Sequence, residues 1–292
     1  MRTGDPLRSG ARPYLAPYVL GVVLLVLVPA GLTFAYAFTN ATGLNEPSFT
    51  GLANVSRMRA DPFLPASIRA SLIHVGLAVP LRLLVAVSLG LLLAGQRRGA
   101  RWYRVAVYVP TVMPDMAMAL LALWAFNPLY GPVNQVLGAF GLPEPVWLST
   151  PWGARWAVVV MLLFPIGEAF IVVLAMRRRI PPSLYDAAAL EGYGPFGQLR
   201  RITLPLLAPV LVLLAVRDVI LTLQVNFVPA YLLTDGGPGN ATRYLPVYIY
   251  DQAFEFSGFG YAALLTISLM VLSTVLVGVM VLLARRWQLL RR

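Results

Sequence analysis

The sequence has no cysteine, no lysine and only one histidine, and each absence removes a class of chemistry. Without cysteine there is no disulfide, no thiol nucleophile and no cysteine-based metal site. A phosphate-binding P-loop ends in Gly-Lys-Ser/Thr, so a chain without lysine does not hydrolyse ATP by that route. His74 alone leaves no histidine-rich metal site and little scope for histidine-based acid–base catalysis. We therefore expect this chain to hold no metal and not to be an enzyme.

Charge is scarce too: 12% of the 292 residues are charged, whereas 59% are hydrophobic. A bilayer span needs roughly 20 apolar residues, and six stretches are long enough. They cover residues 15–38, 71–94, 105–126, 156–176, 206–232 and 261–284. Because helices satisfy their own backbone groups in lipid, the sequence predicts an all-α integral membrane protein. Its six transmembrane helices would form one domain over residues 1–292.

The net charge of +11 comes from 23 arginines, and their distribution predicts the orientation. In a soluble protein this charge would point to nucleic acid. Here most of the arginines fall in the segments that face the cytoplasm if the N-terminus is inside, such as Arg177 to Arg179 and Arg285 with Arg286. The positive-inside rule therefore predicts that both termini are cytoplasmic. The expected partner is the lipid bilayer and not nucleic acid.

Residues 181–205 form a short polar insert between the fourth and fifth apolar stretches. Pro181 and Pro182 are expected to end the preceding helix, and Ser183 with Asp186 reads as a capping box that starts a new one. Small residues recur there at helical spacing, and Gly192 is expected to turn the chain. A second short helix would then run to Pro205. From these residues alone, the insert is either a docking helix or a solvated loop.

Five ionisable residues fall inside the predicted spans, and two readings of them stay open. They are Arg82, Asp115, Glu168, Arg217 and Asp218. Charges at bilayer depth cost a few kcal/mol, so they normally face protein or water. They either line a polar path or pair with one another between helices. Proline and glycine interrupt several spans, and these interruptions are either hinges around a binding site or ordinary membrane-helix usage. They lie at Pro80, at Pro110 with Pro114, at Pro165 with Gly167, and at Pro229.

Two stripes of side chains are candidates for a substrate path. On the fifth span, Asp218, Thr222 and Asn226 follow the i, i+4, i+8 spacing of one helix face, with Gln224 beside it. On the fourth, a similar stripe would hold Met161, Phe164, Pro165 and Glu168. Aromatic rings stack on the C–H face of a sugar, and amide or carboxylate groups bond its hydroxyls. The alternative is a polar contact between helices.

The insert resembles the EAA loop of ABC importer permeases. Asp186-Ala187-Ala188, Glu191, Gly192 and Ile202-Thr203-Leu204-Pro205 fall at the spacing of that motif, although Asp186 stands where glutamate is usual and Glu191 where aspartate is usual. The resemblance implies a MetI-like permease core with a cytoplasmic coupling helix between spans 4 and 5. It also implies that Asp186, Ala187, Ala188, Glu191 and Gly192 contact an ATPase subunit.

A second motif follows the fifth span: Thr234-Asp235-Gly236-Gly237-Pro238-Gly239-Asn240. Together with the EAA-like loop it resembles the maltose- and glycerol-phosphate-type carbohydrate permeases, in particular their sugar-contacting subunits. By this resemblance, the sugar positions correspond to Met161, Phe164, Pro165 and Glu168 and to Val219, Thr222, Leu223 and Asn226. Only Asn226 keeps the residue type, so the identity of the sugar does not follow.

The resemblance implies a complex in the bacterial inner membrane. The partners would be a second homologous permease subunit, two cytoplasmic ATPase subunits that bind ATP and magnesium, and an extracytoplasmic sugar-binding protein. The chain itself would hold no cofactor and would translocate a sugar or oligosaccharide. The alternatives are a proton-coupled secondary carrier of a small polar solute, with Glu168, Asp115 or Asp218 as the proton relay, and a membrane anchor without a pathway.

Overall fold

The computed structural model describes residues 12–43, 46–95, 99–224 and 227–286, and this part of the chain is helical. Its one β-type pairing is an isolated bridge between Thr39 and Phe49. The helices in chain order are α1 (Arg12–Val22), α2 (Val28–Tyr36), α3 (Ala53–Ala60), α4 (Phe63–Leu92), α5 (Ala100–Tyr108), α6 (Asp115–Ala125), α7 (Pro132–Ala139), α8 (Pro151–Met161), α9 (Gly167–Arg179), α10 (Pro182–Leu190), α11 (Pro195–Gln198), α12 (Leu204–Gln224), α13 (Phe227–Thr234), α14 (Leu245–Tyr250) and α15 (Phe259–Arg286).

Four helices in the described ranges are long and apolar enough to cross a membrane: Tyr14–Tyr36, Phe63–Leu92, Pro195–Gln224 and Phe259–Arg286. The first joins α1 and α2 through a π-helical turn, and the third joins α11 and α12 in the same way. A fifth candidate is the pair Ala100–Val112 and Asp115–Ala125, which is bent by 102°. The stretch predicted at 156–176 is instead two helices, α8 and α9, of 11 and 13 residues.

The chain divides into two compact units. The first comprises Met1–Asp61 and Ile249–Ser268. Within it, the Asn54 side chain donates to the carbonyls of Ala37 and Thr39, both at 2.9 Å. The Arg57 guanidinium donates to Gln252 Oε1 at 2.7 Å and lies over the Tyr261 ring. Asn54 thus ties α3 to the segment after α2, and Arg57 ties it to the π-helical turn before α15 and to the start of α15.

The second unit comprises Pro62–Tyr248 and Leu269–Arg292. Here α4 packs against both α9 and α12, and α13 packs against α6 and α8. Gly90 allows the first contact, because a Cβ there would lie 2.7 Å from Val173 Cγ1. The hydrophobic core of this unit includes Val158, Met161 and Ala230, all at least 95% buried.

The loop around α7 is organised by one buried amide, that of Asn134, which is 3% exposed. Its Nδ2 donates to the carbonyls of Pro128 and Pro145 at 3.3 and 3.2 Å. Trp147 Nε1–H donates to Asn134 Oδ1 at 2.7 Å. The indole then packs edge-on against Phe126, with ring centroids 5.5 Å apart. One side chain thus donates hydrogen bonds to two proline carbonyls that have no partner within a helix.

Candidate functional site

Two interrupted helices meet in the second unit. The first interruption lies at Met113 and Pro114, whose extended backbone separates the end of α5 from α6. The second lies between α8 and α9, where Pro165 has no N–H to continue a helix. The two are joined because the Gly167 N–H donates to Thr111 Oγ1 at 2.8 Å. Membrane transporters commonly build binding sites at discontinuous helices of this kind.

Two ion pairs lie beside these interruptions. Arg82 on α4 contacts Asp218 on α12, with Nη1 and Oδ1 2.8 Å apart. Its Nη2 also donates to the Pro165 carbonyl at 3.3 Å, an oxygen that the helix break leaves free. Arg217 on α12 pairs with Glu168 on α9. Pairing between helices, one of the two readings of the intramembrane charges, is thus confirmed for these four residues.

The same charges surround a cavity of about 180 Å³. Its polar lining consists of five charged side chains and one hydroxyl: Arg82, Thr111, Asp115, Glu168, Arg217 and Asp218. Pro165 and Pro229, from two predicted interruptions, also line it. The structure therefore combines both readings, because the paired charges are also the wall of a polar cavity.

The predicted stripe on the fourth span is wrong. Met161 ends α8 and is 4% exposed within the hydrophobic core, whereas Phe164 lies in the break and is 57% exposed. Glu168 belongs to the next helix and is the stripe member with a charged group at the cavity, where Pro165 also lies. A single helical face does not exist here because the helix stops at Met161 and restarts at Gly167.

The stripe on the fifth span is only partly a cavity wall. Asp218 lines the cavity, but Thr222 is 4% exposed and its hydroxyl has no hydrogen-bond partner within the described residues. Gln224 is exposed at the last position of α12. Asn226 lies outside the described residues. Thr111 was missed by the sequence analysis, and its nearest signal was a hydroxyl residue between Pro110 and Pro114, the two prolines of a predicted interruption.

The predicted docking helix exists as α10, but its start differs from the prediction. It begins at Pro182, with Pro181 at the N-cap and no side-chain cap, so the Ser183–Asp186 capping box is wrong. Proline is favoured at the first helical position because its missing N–H needs no partner there. At the other end, Gly192 turns the chain with φ of +84°. The turn at this glycine is therefore confirmed.

One face of α10 is attached to the rest of the chain. Ala188 is 6% exposed, and the Tyr185 hydroxyl lies 2.9 Å from Thr203 Oγ1. Arg177 stacks on the Tyr185 ring at 4.1 Å, a cation–π contact. These contacts fix α10 against the last turn of α9 and against the segment that leads into α12.

The opposite face of the insert is open. Asp186, Ala187, Glu191 and Gly192 are exposed, as the docking reading requires. Leu190 and Phe196, which the sequence analysis did not select, are 91% and 75% exposed. The second short helix is not separate: α11 continues through a π-helical segment, Leu199–Thr203, into α12. Pro205, the second residue of α12, lies within this path and does not end it.

The glycine-rich motif after α13 forms a compact turn. Thr242 Oγ1 donates to the Gly237 carbonyl at 2.9 Å and lies 2.5 Å from Thr234 Oγ1. Gly236 adopts φ of +76°, with its position packed against Arg243. Beyond the turn, Tyr244 stacks on His74 with ring centroids 4.3 Å apart. Burial raises the pKa of Tyr244, so its hydroxyl stays protonated as a hydrogen-bonding group. The motif therefore joins α13 to α4.

Similarity to known proteins agrees with this architecture. Residues 86–289 match the family described as "binding-protein-dependent transport system inner membrane component". The chain is 30% identical to the sulfoquinovosyl glycerol transport system permease protein SmoG of Agrobacterium fabrum, covering 89% of this chain and 85% of the relative. It is 28% identical to the lactose transport system permease protein LacF of Rhizobium radiobacter, covering 90% of each.

A longer relative is also similar in sequence, and a solved structure has the same fold. The maltose/maltodextrin permease protein MalF of Escherichia coli is 31% identical over 73% of this chain, which spans 45% of that protein. The crystal structure of a bacterial alginate ABC transporter superposes with a TM-score of 0.79 at 23% identity, covering 94% of this chain and 93% of the other. This chain belongs to the family of inner-membrane components of binding-protein-dependent transport systems.

Proposed function

We propose that this chain is a permease subunit of an ATP-driven importer that translocates a sugar or oligosaccharide. The relatives that support this are described as permeases for sulfoquinovosyl glycerol, lactose and maltose. The observation within the chain that carries the proposal is the polar cavity at two helix interruptions. A closed hydrophobic bundle would offer a polar solute no polar groups to replace the water that it loses.

In this proposal the chain crosses the inner membrane six times, with both termini in the cytoplasm, as one permease domain. The bent pair α5–α6 and the broken pair α8–α9 would each act as one discontinuous span. Substrate would pass Glu168 and the cavity, and Phe164, Thr222, Gln224 and Asn226 remain candidates along the path. A second homologous permease subunit would complete the pathway. An extracytoplasmic sugar-binding protein would deliver the substrate.

The open face of α10 is the proposed contact with one of the two cytoplasmic ATPase subunits, which would bind ATP and magnesium. Asp186 and Glu191 would supply charge, and Leu190 and Phe196 would supply apolar area that is exposed in this chain. The attached face would transmit movement, because Tyr185 bonds Thr203 at the root of the long helix that carries Arg217 and Asp218. ATP-driven displacement of α10 would thus reach the cavity.

The test is transport in proteoliposomes. The chain reconstituted with its second permease, ATPase subunits and binding protein should take up a saccharide only when ATP is present. The chain alone should not transport. Uptake by the chain alone, driven by a proton gradient, would instead support the secondary carrier. If the complex with the Glu168→Ala variant takes up saccharide as fast as the wild-type complex, the result would support the membrane anchor without a pathway.

A further inference from the structure

The cavity has an acidic balance despite its two arginines. Three carboxylates line it, those of Asp115, Glu168 and Asp218, against the guanidinium groups of Arg82 and Arg217. Both guanidinium groups are already paired with carboxylates. Among the described residues, Asp115 has no ion pair. A solute that enters therefore meets no unpaired positive side chain and one unpaired negative one.

The positive helix ends at the cavity are neutralised in the same way. Helices α6 and α9 both start at the interruptions, and the N-terminus of a helix attracts anions. Each carries a carboxylate in its first turn, Asp115 on α6 and Glu168 on α9. The chain thus places its own negative groups where an anionic ligand would otherwise bind.

What remains at the cavity is carboxylate acceptors together with one buried donor, Arg82 Nε, that has no hydrogen-bond partner among the described residues. Asp218 is 6% exposed, and its Oδ2 is buried without a hydrogen-bond partner among the described residues. The carboxylate of Asp115 adds two further acceptor oxygens. Carboxylates accept strong, charge-assisted hydrogen bonds from hydroxyl groups. A hydroxyl-rich, uncharged molecule supplies the missing donors, whereas an acidic one adds a charge that the cavity repels.

We propose that this cavity selects an uncharged, hydroxyl-bearing saccharide unit over an acidic one, with Asp115 and Glu168 setting that charge selectivity. The proposal rests on the saccharide-import function proposed above. The fold itself does not dictate the preference: a structural neighbour with a TM-score of 0.79 belongs to a transporter for the acidic polysaccharide alginate. At 21% identity the two chains share the fold, so side chains at the cavity decide the charge that is accepted.

The experiment measures binding to the assembled importer without its binding protein, so that the permease alone selects. The importer is held with a nonhydrolysable ATP analogue, and equilibrium dialysis compares maltose and lactose with their uronic-acid counterparts. We expect wild type to retain the neutral disaccharide in preference to its acidic counterpart. The double variant Asp115→Asn/Glu168→Gln removes two negative charges and frees Arg217. It should shift the neutral-to-acidic ratio toward the acid by about tenfold or more. Glu144→Gln, in the exposed loop outside the cavity, is the matched control and should leave the ratio unchanged.

Each remaining outcome is decisive. An unchanged ratio in the double variant, or a wild type that prefers the acid, overturns the charge selectivity. If wild type binds neither sugar although the complete importer takes one up, the cavity is not the selective site, while the import function stands. If the complete importer takes up no saccharide of either kind, the proposed function itself fails. Size-exclusion chromatography of each variant complex confirms that it has assembled.

Discussion

Arg82 and Asp218 form an ion pair of 2.8 Å between α4 and α12, and Arg82 also binds the Pro165 carbonyl at the break before α9. One guanidinium therefore holds three chain segments together at a place where bulk water is scarce. These two contacts help to hold α12 and the break in their relative position. The pair is a structural part of the cavity as well as part of its lining.

Removing only one member of this pair should be costly. Asp218→Asn leaves Arg82 charged and buried without its carboxylate, and breaking a buried pair in this way costs about 3–5 kcal/mol. The thermal unfolding midpoint of the detergent-purified protein should fall accordingly. The double variant Arg82→Leu/Asp218→Leu should recover part of the loss because neither charge remains. A single variant as stable as wild type would contradict this assignment.

Gly167→Ala should disrupt the junction of the two interruptions. A Cβ at this position would lie 2.4 Å from Thr111 Oγ1 and 3.0 Å from the backbone Cα of Tyr108. Backbone cannot yield as a flexible side chain can, so we expect a loss of about 1–3 kcal/mol in unfolding free energy. The control is Gly76→Ala in α4, where a Cβ meets no atom within 4 Å. There alanine should be neutral or stabilise the helix by up to about 1 kcal/mol. Equal effects at both sites would refute the close approach.

Gly192 tests the backbone of the proposed coupling loop. A Cβ there meets no atom within 4 Å, but φ is +84°, a conformation that side chains disfavour. Gly192→Val should therefore cost about 1–2 kcal/mol locally and reduce saccharide-stimulated ATP hydrolysis by the complex. Gly192→Asn should retain more of that activity, since asparagine tolerates the left-handed region. If asparagine and valine prove equally damaging, the cause is not backbone strain.

Leu190→Ser tests the open face of the same loop. Leu190 is 91% exposed, so its replacement should leave the folding stability of this chain within about 0.5 kcal/mol. Binding of the ATPase subunits should weaken by about tenfold or more, because burial of a leucine side chain contributes about 1.5–3 kcal/mol. Co-purification and titration of the ATPase subunit measure this. Leu129→Ser is the matched control, since Leu129 is 89% exposed in a different loop. Equal effects of the two variants on ATPase binding would exclude a specific contact at Leu190.

Trp147→Phe should destabilise the loop around α7. Phenylalanine keeps the ring packing on Phe126 but lacks the N–H that donates to Asn134 Oδ1. An acceptor left buried without its donor costs about 1–3 kcal/mol. Limited proteolysis should then cut the loop between α6 and α8 sooner than in wild type. An unchanged rate of cleavage would contradict the prediction, since the Trp147–Asn134 hydrogen bond would then contribute nothing to the order of the loop.

Sequence patterns predicted the all-helical architecture and the polar insert, because apolar runs and proline pairs act locally. They named the positions where a membrane helix could be interrupted, but not which of these positions break the helix. Pro80 lies inside a continuous helix of 30 residues, whereas Pro165 lies in a break. Each proline removes the same N–H, and the difference arises from what surrounds it. At Pro165 the freed carbonyl receives Arg82, a residue 83 positions away in the chain.

The cavity was less predictable than the fold for the same reason. A helical stripe requires an unbroken helix, so the stripe through Met161 and Phe164 failed once α8 ended. The possible ion pairs were correctly enumerated from charges at bilayer depth, but the choice of partners depended on packing. Leu190 and Phe196 were missed because an exposed apolar residue has no signature in a short amphipathic segment.

The unbroken path from Pro195 to Gln224 makes a lever arm of 30 residues. Arg217 stands 22 positions from the root at Pro195, about 33 Å at the rise of an α-helix. A tilt of only about 10° at the root would sweep the arginine through about 6 Å. That distance exceeds the reach of a hydrogen bond, so a small tilt of the helix at Pro195 suffices to separate Arg217 from Glu168.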